Sequence, residues 1–191
     1  MNRNIAERNH FQNLHASGFA FWMIKFMHDN PLASILKNPY RLLEIAGLRP
    51  GQKVIEVGPG PGFFTIPAAK IVEADGLVYA MDINPLAIRR IEEKMRKYGI
   101  DNIQPILGNA AYSGLQDSSI DLAFIFGLRY IAGGLSNLIS EMRRILKAGG
   151  ILSFEKTKGS DARLVEEVER AGFTKTARKG RIFIFAKPGS I

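Results

Sequence analysis

The stretch from Val54 to Pro67 reads VIEVGPGPGFFTIP: an apolar run ending in an acidic residue, glycines at every second position, then an apolar helix start. It describes a strand, a tight turn and a helix. Gly58, Gly60 and Gly62 carry no Cβ, so the backbone can turn sharply after a strand over Lys53 to Val57 and let a bulky ligand lie against the peptide plane. Their spacing narrows the ligand. The dinucleotide pattern G-x-G-x-x-G places its third glycine where Phe63 stands. A triphosphate-binding loop needs a Lys-Ser or Lys-Thr pair, and none follows. Glu56 adds a constraint, because an acidic side chain at the end of a buried strand is costly unless a donor or ligand meets it. It would repel a pyrophosphate, so the turn suits a nucleoside with a cationic or zwitterionic end. The plainer reading is that the glycines only solve a packing problem.

Working outward, the chain after Gly51 alternates short β-rich runs with helical patterns, as a parallel sheet wrapped by helices requires. The spacing predicts strands over Lys53 to Val57, Leu77 to Asp82, Ile103 to Leu107, Asp121 to Phe126 and Ile151 to Lys156. Helices are expected over Phe63 to Val72, Pro85 to Tyr98, Leu135 to Leu146 and Asp161 to Ala171, the last capped by Asp161. Asn84 before Pro85 is an N-cap with proline at the first helical position. Thr174 to Arg178 and Arg181 to Ala186, joined by Lys179 and Gly180, can pair as an antiparallel hairpin.

The N-terminal 50 residues differ in character. Phe19, Trp22, Met23, Phe26 and Met27 follow helical spacing and form one apolar face. A second helix is expected from near Pro39 to Gly47. This segment, 1–50, is read as a helical extension forming a lid or pocket wall, and 51–191 as one globular unit.

At 191 residues and 46% hydrophobic the chain can bury one substantial core. The absence of cysteine excludes a disulfide framework and thiolate catalysis, and a reducing cytoplasmic location is the expectation. No apolar run approaches the roughly 18 to 20 residues of a membrane span. The net charge of +8 raises the prospect of nucleic acid or an anionic membrane surface. However, the basic residues interleave with Glu92 and Glu93 after Pro85, and only the end, with Lys175, Arg178, Lys179, Arg181 and Lys187, is one-sided.

About twenty residues past the glycine turn, the second strand ends in Asp82, followed by Ile83. A carboxylate there can accept both hydroxyls of a ribose across the crevice, and Ile83 can offer an apolar face to a base. Charge-assisted hydrogen bonds of this kind contribute on the order of 1.5 to 3 kcal/mol each. At the next strand end, Gly108-Asn109-Ala110 presents an amide able to meet an adenine edge. A loop-capping asparagine is the alternative.

At these residues the chain resembles the class I S-adenosylmethionine-dependent methyltransferases, particularly the branch acting on quinones and other small metabolites. The resemblance spans about Asn38 to Lys187. It rests on Glu56 to Gly62, Asp82, Gly108-Asn109-Ala110, Ser119 to Phe124 and Glu141 to Gly150. It implies an α/β, Rossmann-like three-layer sandwich. The implied sheet has seven strands, mostly parallel, in the order 3-2-1-4-5-7-6 with an antiparallel last strand. It also implies S-adenosylmethionine as cofactor. Glu56 would orient the methionine end, Gly58, Pro59, Gly60 and Gly62 would form the cofactor turn, Asp82 and Ile83 would hold ribose and base, and Asn109 and Ala110 would meet adenine. Such families more often carry aspartate at the position of Asn109.

The segment Phe126 to Tyr130 should lie over the transferred methyl, since ligands bind outside the carboxyl ends of such strands. It lacks the Asn-Pro-Pro-Tyr-like pattern of amino-methylating nucleic acid enzymes, which argues for a small-molecule substrate. Arg129 could attract an acidic one or simply pair on the surface. Methyl transfer from a sulfonium needs a base only if the acceptor arrives protonated. His15, placed before the aromatic stripe, is the candidate, with His10 and His28 nearby. No metal motif is present. Alternatives are an RNA or protein methyltransferase using the basic end, a non-catalytic S-adenosylmethionine-binding protein, and a peripheral membrane module using the face from Phe19 to Met27.

Overall fold

The computed structural model describes residues 38–128, 130–156 and 159–189. Its strands are β1 (Lys53–Val57), β2 (Leu77–Asp82), β3 (Ile103–Leu107), β4 (Ile120–Ile125), β5 (Leu146–Glu155), β6 (Thr174–Lys179) and β7 (Ile182–Ala186). The helices are α1 (Pro39–Ala46), α2 (Thr65–Val72), α3 (Pro85–Tyr98), α4 (Leu135–Ile145) and α5 (Asp161–Arg170). The strands form one seven-stranded sheet in the order β3-β2-β1-β4-β5-β7-β6. β1 to β5 run parallel, whereas β7 is antiparallel to both β5 and β6. The fold implied by the resemblance is therefore present, including the reversed strand. Pro105, which has no N–H to give, is accommodated because β3 is an edge strand.

Strand alternation divides the core between two faces. Ile55, Val57, Ile125, Leu152 and Phe154 pack with Leu138, Met142, Leu164 and Val168 in the cluster that includes α4 and α5. Val54, Val78, Ala80, Leu122 and Phe124 pack with Leu43, Ala68, Val72 and Ile91 from α1, α2 and α3. Each fully buried aliphatic or phenyl side chain contributes about 1.5–3 kcal/mol, so these two clusters hold the three layers together. Leu43, Ala46 and Leu48 are buried in the second cluster. The described part of the N-terminal extension thus belongs to the layered core. The stripe from Phe19 to Met27 lies outside the described residues.

Several boundaries shift for local reasons. α2 starts at Thr65 rather than Phe63, because the turn occupies the residues through Phe64. Pro67 is then the third helical residue, still in the turn that needs no intrahelical donor. α4 ends at Ile145, since Leu146 is extended and pairs with Ile120, and β5 begins five residues earlier than Ile151. The N-cap of α5 is Ser160, not Asp161. Asp161 instead sits in the first turn and forms ion pairs with Lys156 and Arg178. Asn84 and Pro85 start α3 as expected, with Asn84 Oδ1 accepting the Leu86 N–H at 2.9 Å.

Candidate active site

The carboxyl ends of β1, β2 and β3 are stitched together by main-chain bonds. The Gly58 N–H donates to the Met81 carbonyl at 2.9 Å, and the Gly108 N–H donates to the Asp82 carbonyl at 2.9 Å. The glycine turn is then fixed by a side chain, since the Gly60 N–H donates to Asp82 Oδ2 at 3.1 Å. Asp82 Oδ1 accepts the Asn84 N–H at 2.9 Å. Gly60 has a φ of +53° and no atom within 4 Å of where a Cβ would stand, so its outer side is open space. Gly58, at φ +71°, is covered by Leu128, whose Cδ1 would lie 2.4 Å from an added Cβ.

Burial raises the Asp82 pKa, and the N–H groups of Asn84, Gly60 and Ile83 oppose that rise. The carboxylate still has accepting capacity, because each oxygen offers two lone pairs. Glu56 lies deeper, only 3% exposed, with Thr65 Oγ1 donating to its Oε2 at 2.6 Å. Burial pushes its pKa up to about 8, offset by the Thr65 hydroxyl and reinforced by the negative charge of Asp82. Two carboxylates thus flank the turn, and both are held closer to neutrality than free side chains would be.

Gly58, Asp82, Ile83 and Ala110 line one groove, together with Gly108, Leu128, Tyr130 and Ile131. Glu56 is buried beneath the turn. Pro59 and Gly62 shape the turn, the Gly62 N–H donating to the Pro59 carbonyl at 3.0 Å. Asn109 behaves as a loop cap: its Oδ1 accepts the Ala111 N–H at 2.9 Å, and its amide nitrogen lies beside Gly133. Phe126 does not line the groove. It continues the two-residue alternation of β4, so it shares a face with Phe124 and packs edge-on against Phe64, with centroids 5.3 Å apart.

Two participants escaped sequence reading. Thr65 partners Glu56 from nine positions on, at the start of α2. Glu155, 9% exposed at the end of β5, accepts the Gly127 N–H at 3.0 Å and so ties down the loop after β4. The threonine signal was present, because a hydroxyl entering the helix after a glycine turn faces back over the strand end. The other depends on a pairing with no periodicity in the sequence. Leu128, in the segment expected over the methyl group, covers Gly58. His10, His15, His28 and Arg129 lie outside the described residues. Among the described residues no group of histidine, aspartate or glutamate side chains could hold a metal ion.

The sequence model of the ubiE/COQ5 methyltransferase family matches residues 34–168, which include every strand from β1 to β5 and the groove. The chain belongs to the ubiE/COQ5 methyltransferase family. One relative in that family is the ubiquinone/menaquinone biosynthesis C-methyltransferase UbiE of Shewanella pealeana. It is 34% identical over 131 residues, covering 66% of this chain and 52% of the relative. The demethylmenaquinone methyltransferase of Geobacillus stearothermophilus is 34% identical over 102 residues, covering 53% of this chain and 43% of its own. The chain therefore spans about half the length of these ubiE/COQ5 relatives. Among solved structures, a SAM-dependent methyltransferase from Aquifex aeolicus superposes with a TM-score of 0.74 at 25% identity, covering 87% of this chain and 96% of that one. The [4+2]-cyclase SpnF, at 16% identity and a TM-score of 0.68, shares the fold.

Proposed function

We propose that this chain binds S-adenosylmethionine and transfers its methyl group to a small, partly apolar acceptor of the quinone type. The observation that carries the reading is the bond from the Gly60 N–H to Asp82, which sets a buried carboxylate beside an open glycine turn. Family membership and the match to the Aquifex aeolicus methyltransferase support it. The names of the relatives support a quinone-type acceptor.

In this reading Asp82 accepts from the ribose hydroxyls, Ile83 and Ala110 flank the base, and Glu56 faces the ammonium of the methionine end. When bound, the sulfonium supplies an electrophilic methyl group. Held by Asp82, the glycine turn and Glu56, that group would offer its methyl carbon to the acceptor nucleophile, with sulfur as the leaving atom, and a protonated acceptor would give its proton to a base or to solvent. The chain's contribution is positioning, worth roughly 7–11 kcal/mol when reactants are held near attack distance. Asp82 and the glycine turn are suited to it because both are fixed before any ligand arrives.

The basic end of the chain gives little support to a nucleic acid substrate. Arg178 pairs with Asp161 and lies over the Phe183 ring, and the Arg181 guanidinium donates to the Lys156 carbonyl. These cations hold the hairpin in place. No helix among the described residues is long and apolar enough to cross a membrane.

Isothermal calorimetry with S-adenosylmethionine and S-adenosylhomocysteine tests the proposal. Saturable one-site binding is expected, followed by incorporation of labelled methyl groups into quinol acceptors. A folded protein with affinity for neither compound would overturn it.

A further inference from the structure

The stretch from Glu141 to Gly150 carries part of the resemblance, yet none of its residues lines the groove beside Gly58 and Asp82. Its first member, Glu141 on α4, reaches the segment after β3 instead. Glu141 Oε1 accepts the Ser113 N–H at 2.8 Å and the Ser113 hydroxyl at 2.5 Å. Arg144, on the same helix, closes the other side, with Nε donating to Oε2 at 2.9 Å and Nη2 donating to Oε1 at 2.7 Å. Arg144 also pairs with Asp117. The Glu141 side chain is 11% exposed. The Arg144 guanidinium, joined by the Ser113 hydroxyl and N–H, holds its carboxyl down to about 2 against the cost of burial, so it stays a carboxylate throughout the neutral range.

The contact matters because of what Ser113 follows. The short 3-10 helix Ala110–Tyr112 ends there, and Ala110 lines the groove with Asp82 and Ile83. The sheet supports this segment from one side, since β3 is an edge strand. The remaining support comes from α4 and the residues leading into it. Asn137 Nδ2 donates to the Gly133 carbonyl at 2.8 Å and to the Tyr112 hydroxyl at 3.5 Å. Gly133 itself lies so close that an added Cβ would stand 3.1 Å from the Ala111 Cβ. Farther along the same loop, the Ser118 and Ser119 N–H groups donate to the Arg144 and Ile145 carbonyls at 3.1 and 2.8 Å. Among these ties the one at Glu141 brings two donors of a single residue to an ionised acceptor, which makes it the strongest and most directional.

We propose that Glu141 is a positioning residue for the base end of the cofactor: through Ser113 it sets where Ala110 stands in the groove. The proposal rests on the methyltransferase reading, in which Ala110 flanks the base. Glu141 touches no ligand itself. Without its bond to Ser113 the 3-10 helix can move away from the groove, and the base loses a wall rather than a partner.

The test uses the full chain, calorimetry and two probes, S-adenosylhomocysteine and methylthioadenosine, which keeps the base and ribose but lacks the amino acid end. Glu141→Ala should weaken both by the same factor, about tenfold, because the loss lies at the base. Ser113→Ala, which removes the hydroxyl bond and keeps the N–H, should cost about threefold, and adding it to Glu141→Ala should cost less than a further twofold, since both act along one path. Glu141→Gln separates positioning from stability. Its amide oxygen can still accept from Ser113, so affinity should return to within threefold of wild type, while the thermal midpoint falls as in Glu141→Ala because the ion pair with Arg144 is lost in both. An unchanged affinity in folded Glu141→Ala, or an equal loss in the Gln and Ala variants, would overturn the proposal. So would a loss confined to S-adenosylhomocysteine, which would place the effect away from the base. If Glu141→Ala does not fold, Ser113→Ala decides, and unchanged affinity there counts as failure. All of these failures can occur while wild type binds S-adenosylhomocysteine, whereas absence of that binding in wild type would strike the methyltransferase reading itself.

Discussion

The strand ends of β1 to β3 and the loop that follows β4 border the same groove, but they are built from different materials. On the first side the geometry is set by main chain and one carboxylate: Gly58 to Met81, Gly108 to Asp82, and Gly60 to the Asp82 side chain. On the second side it is set largely by apolar side chains such as Leu128 and Ile131, with the Gly127 N–H donating to Glu155. Main-chain geometry survives many side-chain substitutions, whereas a wall of leucines can be reshaped by one. The first construction suits a ligand common to many enzymes, and the second suits an acceptor that differs among them.

The widest gap between the two sides should come from Gly60→Val. A β-branched side chain at φ +53° is strained and would project into the open space above the turn. Cofactor binding should fall below detection by calorimetry, while circular dichroism shows a folded protein. Normal affinity would mean that the turn is structural only.

Asp82→Ala removes the carboxylate that fixes the turn and is proposed to meet the ribose. Affinity for S-adenosylmethionine should drop by about 10-fold to 100-fold, in line with charge-assisted bonds of roughly 1.5–3 kcal/mol. An unchanged dissociation constant in the folded variant would break the assignment of the first side as the cofactor side.

Glu155→Ala probes the other construction. The Gly127 N–H loses its acceptor, so the loop bearing Leu128 loosens. Methyl transfer should slow by about tenfold, a loss of roughly 1.4 kcal/mol in the barrier. Affinity for the cofactor should remain within twofold, and Glu155→Gln, whose amide oxygen can still accept, should recover most of the rate. A loss of cofactor affinity equal to the loss of rate would show that the two sides are not separable.

The smallest signal is a proton. Glu56 has its pKa raised from 4.5 to about 8, so the folded state favours the protonated form. Its contribution to stability is fully present below about pH 4.5 and is lost as pH rises through about 8. The midpoint of thermal unfolding of the free protein should fall over that window, and less so in Glu56→Gln. An ammonium placed beside Glu56 would favour the carboxylate, so binding at pH 7 should release up to one proton, and affinity should rise with pH until about 8. Calorimetry in buffers of different ionisation enthalpy reads this directly. No buffer dependence would place the ammonium elsewhere.

Much of the first side was legible in the sequence because its information is local. Glycines two apart after an apolar run demand a turn, and Asp82 stands at the end of the next strand by a spacing that a βαβ unit fixes. The strands Lys53–Val57, Leu77–Asp82 and Ile103–Leu107 have the extents that their composition suggests. Illegible features share the property that two distant residues decide them. Glu155 and Gly127 are 28 positions apart, and nothing in either segment announces the other. The two roles open to Asn109 could not be separated until the Ala111 N–H was seen at its oxygen. Phe126 looked like a groove residue from its place after β4, but its side follows from the register of a strand packed beneath Phe64.

The sequence by itself determined the layered α/β fold, the order of its elements, the glycine turn and the acid across from it, because periodicity and turn chemistry act over a few residues. Only the tertiary structure decided that Asp82 grips the turn, that Leu128 lies over Gly58 and that Glu155 ties down the loop after β4. Those facts depend on which side chains the crossovers bring within hydrogen-bond or van der Waals reach, and short-range patterns do not encode such distances.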